Sequence, residues 1–129
     1  MTDIFKIAVY IPDEFLNELT VKINDSMEPI YPGYDMTFSM TEVTSMWRPL
    51  EGSDPFIGDT GEISVEKETK VEFSVKGKDL RNVIDTIVSV HPYEEPAIDI
   101  IPMHSWKDII LSAWKKRISS RAMHSMPLW

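Results

Sequence analysis

There is no cysteine among the 129 residues. Disulfides, thiolate metal sites and cysteine nucleophiles are excluded with it. Glycine is scarce, at five, and the chain has no Walker or dinucleotide-binding glycine spacing. Basic residues are outnumbered: 13 Lys and Arg stand against 21 Asp and Glu, a formal net charge of −8. Such a chain repels phosphate backbones, so no nucleic-acid partner is expected. The one basic cluster, Lys115, Lys116 and Arg117 with Arg121, reads as cations meeting the dipole at the end of a helix. No apolar run approaches the ~18 residues of a membrane span, so no membrane partner is expected. Met1-Thr2-Asp3 lacks a basic leader region, and the stretch 4–11 is too short and too alternating for a signal core. The expected location is cytoplasmic.

What is present is the composition of an ordinary globular protein, 43% hydrophobic and 26% charged. One domain over residues 1–118 with a C-terminal tail over residues 119–129 is expected. Phe5, Ile7, Val9 and Ile11 alternate with less apolar neighbours, the period of a half-buried strand. Pro12-Asp13-Glu14 looks like a helix start, and Phe15, Leu19, Ile23 and Met27 recur along one helical face. Tyr34, Met36, Phe38 and Met40 predict a second strand with the methionines on its core face. Residues 44–61, with prolines and glycines, predict a long loop that packs through Leu50, Phe56 and Ile57. Ile63 with Val65, and Val71 with Phe73 and Val75, read as two short strand segments or a hairpin. Asp79 is a candidate N-cap for a helix carrying Leu80, Val83, Ile84, Ile87 and Val88. Ala97 to Ile101 predicts a last strand stopped by Pro102. Ser105-Trp106-Lys107-Asp108 resembles a capping box opening a helix to about Ile118, with Ile110, Ala113 and Trp114 on one side.

The order is β-α-β-β-α-β plus a C-terminal helix. That predicts an α+β, ferredoxin-like fold: an antiparallel sheet with two helices on one face.

Two segments could carry chemistry. The first is His91-Pro92-Tyr93-Glu94-Glu95-Pro96. Each proline pushes the residue before it out of helical geometry, so the segment is a stiff corner bearing an imidazole, a phenol and two carboxylates. His91 and Glu94 are candidate ligands for a divalent metal such as Zn, Cu, Ni or Mn. The segment also reads as a corner alone, with Tyr93 and the prolines fixing the turn and both glutamates solvated. The second segment is residues 48–58. Arg48 offers a planar cation for an anionic group, and Glu51 and Asp54 could pair with it or approach His91. The candidate ligand-binding set is therefore Arg48, Glu51, Asp54, His91, Tyr93, Glu94 and Glu95. No catalytic residue is assigned. His104 and His124 stand singly, and the eight methionines are read as packing.

The run Trp47-Arg48-Pro49-Leu50-Glu51-Gly52-Ser53-Asp54-Pro55-Phe56-Ile57-Gly58, with the later His91-Pro92-Tyr93-Glu94-Glu95-Pro96-Ala97-Ile98-Asp99-Ile100, closely resembles the YqfO-type insert domain of the NGG-interacting-factor family. The resemblance spans about residues 4–103. The second run is also similar to the His-Pro-Tyr-x-x-Pro element before the last strand of CutA, the divalent-cation tolerance protein. CutA and the related PII signalling proteins are ferredoxin-like trimers. The resemblance thus implies a CutA/PII-like fold and a homo-oligomer, trimer or dimer. This chain departs from the insert-domain pattern at Met36 and Thr37, and at Thr44-Ser45-Met46. The larger family's dimetal site lies in flanking segments absent from this sequence, so its hydrolase chemistry is not expected here.

The expected function is a CutA/PII-like regulatory module that binds a small ligand or a divalent metal. Two alternatives stand beside it. One is an interaction protein that assembles through Trp106, Trp114 and its apolar tail. The other is a small enzyme with His91 or Glu94 as acid-base and Arg48 as anion clamp.

Overall fold

The computed structural model describes residues 3–110. The elements run in the order β1 (Ile4–Ile11), a 3-10 turn (Asp13–Phe15), α1 (Leu16–Asp25), β2 (Ser39–Trp47), β3 (Ser64–Lys76), α2 (Gly77–Val90), β4 (Ile98–Met103) and α3 (Trp106–Ile109). One four-stranded sheet has the order β2-β3-β1-β4, every neighbouring pair antiparallel. This is the ferredoxin-like α+β arrangement.

The alternation in β1 explains the core. Ile7, Val9 and Ile11 face α1 and α2, and the register sets Ile7 opposite Phe73 and Val9 opposite Val71. Leu19 and Ile23 from α1, with Val83, Ile87 and Val90 from α2, close the same cluster. Both helices therefore lie on one face. The register turns Tyr10 and Glu68 to the other face, together with Ser45 and Trp47 of β2.

Several expectations are corrected. The second strand begins at Ser39, not Tyr34, and runs into the stretch expected to be loop. Residues 34–38 are irregular and tied to α1, because Asn24 accepts the Met36 N–H at 3.0 Å and donates to Asp35 at 3.0 Å. Met36 holds a positive φ of 52°, and both Met36 and Met40 are exposed rather than in the core. The segments around Val65 and Val71 form one 13-residue strand, β3, because β2 pairs along it from Glu72 back to Ser64. α2 starts at Gly77 with no side-chain cap, and Asp79 instead accepts the Glu28 backbone N–H at 3.0 Å. Val88 is exposed, and Val90 takes a buried place on α2. Pro102 lies inside β4, which is an edge strand and tolerates a missing N–H. The expected capping box is present, with Ser105 accepting from the Lys107 N–H and Asp108 from the Ser105 N–H. The helix extension to Ile118, the domain boundary at 118, Trp114, the basic cluster, His124 and the tail lie outside the described residues. No helix among the described residues is long and apolar enough to cross a membrane.

Candidate functional site

The corner at residues 91–96 is built from its own sequence. His91 ends α2 with extended backbone, φ −66° and ψ 129°, as the following proline demands. Its N–H still closes the last helical turn on the Ile87 carbonyl at 2.8 Å. The ring is buried, and both nitrogens are engaged. A backbone carbonyl can only accept, so Nε2 carries the proton and donates to the Tyr10 carbonyl at 2.6 Å. A backbone amide can only donate, so Nδ1 accepts the Tyr93 N–H at 3.2 Å. The imidazole is thus neutral and pins the corner to the end of β1.

Burial holds the His91 pKa below the usual histidine value, opposed by the bond to Tyr10 and the Glu68 charge. The unfolded chain therefore binds the proton more readily than the folded one. Stability is complete above about pH 6.5, the unfolded value, and falls as pH drops through the lower folded value. Protonation at Nδ1 also breaks the bond from Tyr93. Urea midpoints from pH 7.5 down to 5 are expected to fall for the wild type, with the drop between about pH 6.5 and 5 much reduced in His91→Gln. Parallel curves for the two proteins would contradict this role.

Tyr93 leaves the corner toward the sheet. Its hydroxyl donates to Glu68 Oε2 at 2.6 Å, and Glu68 is only 4% exposed. Burial, then the bond to Glu68, raises the phenol pKa well above its ordinary value, so it stays a neutral donor. The Tyr93 ring lies 5.6 Å from that of Trp47 and 6.1 Å from that of Phe56. Phe56 in turn packs edge-on against Phe15 at 5.8 Å.

The loop at residues 48–58 comes from the other side. Trp47, the last residue of β2, donates its indole N–H to the Ile57 carbonyl at 3.1 Å and folds the loop back. Gly58 sits at φ +108°, where a Cβ would collide with the Ser64 hydroxyl; only glycine closes the loop this way. The Asp54 N–H then donates to Glu94 Oε2 at 3.0 Å, joining loop and corner directly.

Between them lies an open cleft of about 640 Å³. Its walls include the rings of Trp47, Phe56, Tyr93 and Tyr10, with Glu68 at the sheet and Arg48, Glu94 and Glu95. Of the residues expected from sequence, Arg48, Tyr93, Glu94 and Glu95 line this cleft; Glu51, Asp54 and His91 do not. Asp54 contributes its backbone instead.

The two expected metal ligands, His91 and Glu94, are both held by hydrogen bonds to backbone groups. His91 has no free nitrogen, and among the described residues no group of three or more His, Asp and Glu side chains could hold a metal ion. Both hydrogen bonds turn the His91 ring to backbone partners, and the residue is not part of the cleft lining.

Sequence reasoning missed Glu68, Tyr10 and Trp47. Glu68 sits in the run Glu66-Lys67-Glu68, which reads as a solvated strand face. Only the β2-β3-β1 register, which sets Val43 opposite Glu68 and Tyr10 opposite Lys70, places it beneath Tyr93.

No family model matches the chain. A GTP cyclohydrolase 1 type 2 homologue of Bacillus subtilis is 31% identical over 98 residues, which are 76% of this chain and 26% of that protein. The chain thus spans about a quarter of the length of the curated relatives it matches. Among solved structures, a Bacillus cereus protein related to NIF3 superposes with a TM-score of 0.70 at 25% identity, over 81% of this chain and 26% of that one. CutA from Synechococcus elongatus superposes with a TM-score of 0.58 at 16% identity, over 80% of this chain and 79% of CutA. Bacillus subtilis GlnK superposes at 0.55 and 14% identity, over 79% and 86% of the two chains. The chain is accordingly a NIF3/CutA-like domain, matched in sequence to one segment of much longer NIF3-related proteins and sharing its fold with CutA and the PII-like GlnK.

Proposed function

We propose that the chain is a small-ligand-binding regulatory module of the CutA/PII-like kind, that the cleft between residues 48–58 and 91–96 is its binding site, and that it acts as a cytoplasmic homo-oligomer. One observation carries the reading. Two stiff segments far apart in sequence are joined by the Asp54–Glu94 hydrogen bond over a cleft of about 640 Å³. That volume and the mix of apolar walls with a few polar groups are those of a small-molecule site. Self-association has its own support. Met46 and Val65 are register partners on β2 and β3, and both are well exposed, at 66% and 59%. The relatives extend far beyond the matched segment, so the activity in their name is not assigned to this chain.

Isothermal titration against nucleotides, acidic metabolites, organic amines and Cu, Zn, Ni and Mn salts tests the site. At least one organic compound is expected to bind saturably. Ser45→Trp, which fills the cleft from the partly exposed face of β2, is expected to weaken that binding by about tenfold or more while the fold is retained. A folded wild type that binds none of the panel overturns the proposal.

A further inference from the structure

Glu68 is the odd residue of the cleft. It is a carboxylate at 4% exposure, and one of its oxygens accepts from the neutral Tyr93 hydroxyl. Among the described residues no other side-chain hydrogen bond reaches it, and no lysine, arginine or histidine forms an ion pair with it. A buried carboxylate is costly to hold unless a charge or several donors compensate it. Glu68 lines a cleft whose charged lining is mainly acidic: Glu68, Glu94 and Glu95 against Arg48. The apolar walls include four aromatic rings, Trp47, Phe56, Tyr93 and Tyr10, beside aliphatic residues such as Leu50 and Ile57. Aromatic faces attract cations through their quadrupole, tryptophan most strongly. A bare divalent metal demands several oxygen or nitrogen ligands in one place, and no such group is assembled among the described residues. An anionic ligand would meet three carboxylates for one guanidinium.

We propose that the cleft takes an organic cation, an ammonium or guanidinium group on an apolar body, with its charge at Glu68 and its body against Trp47, Phe56 and Tyr93. This rests on the reading of the cleft as the binding site. The cation supplies the positive partner that Glu68 lacks, while Glu94 and Glu95 draw it in at the rim. Arg48 disfavours a second positive charge at its end of the cleft, which selects a ligand with one cationic head rather than a long polyamine.

Four probes of similar size separate the ideas: benzylamine, benzyltrimethylammonium, benzyl alcohol and phenylacetate. Each is titrated into the nitrogen-15-labelled full chain, following the Trp47 indole N–H signal assigned with Trp47→Phe. The two cations are expected to shift that signal saturably, and the alcohol and the acid to bind about tenfold more weakly or not at all. Glu68→Gln is expected to weaken both cations by about tenfold while leaving the rest of the spectrum folded. Should Glu68→Gln fail to fold, Glu95→Gln at the exposed rim is read instead, with a loss of about twofold to threefold that shrinks as salt is raised. Equal or tighter binding of the alcohol or the acid at Trp47 overturns the cation class and leaves the cleft standing as a site. No shift of the Trp47 signal by any probe removes both. Undiminished cation binding in Glu68→Gln, or in Glu95→Gln where that variant is the one read, also overturns the assignment.

Discussion

Replacing Tyr93 by alanine is expected to lower folding stability by about 2–4 kcal/mol and to abolish ligand binding in the cleft. The side chain does two jobs in different places. Its ring sits between Trp47 and Phe56, so removing it leaves those rings without their shared neighbour. Its hydroxyl is the hydrogen-bond donor to the buried Glu68 carboxylate. Tyr93→Phe separates the two. It keeps the ring and removes the donor, and is expected to cost about 1–3 kcal/mol, the usual penalty for a buried polar group left without its partner. Urea denaturation of the three proteins measures both numbers. An alanine variant as stable as the wild type would show that the corner does not organise the cleft.

The other large effect lies in the core. Ile87→Ala is expected to cost about 3 kcal/mol, within the range for deleting a fully buried aliphatic side chain, and to lower Tm by roughly 10 °C. Ile87 has no exposed surface and packs among Ile7, Val9 and Val71 from the sheet with Ile23 from α1. One turn later its carbonyl also receives the His91 N–H that ends α2. The lost volume therefore loosens the root of the corner as well as the helix. Val88, next in sequence, is 55% exposed, and Val88→Ala is expected to change stability by no more than about 0.5 kcal/mol. Thermal unfolding of the pair checks the contrast. Similar shifts for both would mean that α2 is rotated from the face described.

That pair also shows what the sequence could and could not convey. Period 3.6 marked α2 and most of its buried face, but Val88 and Val90 compete for the edge of that face. Val90 is the one that joins the core cluster, just before the chain leaves the helix at His91. β1 was legible because Ile7, Val9 and Ile11 on one face are fully buried, which fixes the apolar alternation. β2 was misplaced for the opposite reason. Its backbone hydrogen bonds to β3, while Glu42, Thr44 and Met46 lie where no helix covers them, so no apolar pattern is required. The alternating stretch Tyr34–Phe38 mimicked a strand, and the side chain of Asn24 holds part of it in an irregular path instead. Of the site, the two loops and Arg48, Tyr93, Glu94 and Glu95 could be read from local chemistry. Glu68 and Tyr10 could not, because their place follows from strand register, a long-range property. His91 was noticed for its type, yet its two backbone partners make it a fastening for the corner.

Nuclear Overhauser contacts among aromatic side chains in the free protein test most directly whether the two loops meet. Cross-peaks are expected from the Tyr93 ring to both Trp47 and Phe56, whose ring centres lie 5.6 and 6.1 Å away. A folded chain that shows the core contact of Phe38 with Phe73, at 5.4 Å, but none from Tyr93 to Trp47 or Phe56 would contradict the cleft and every function placed in it.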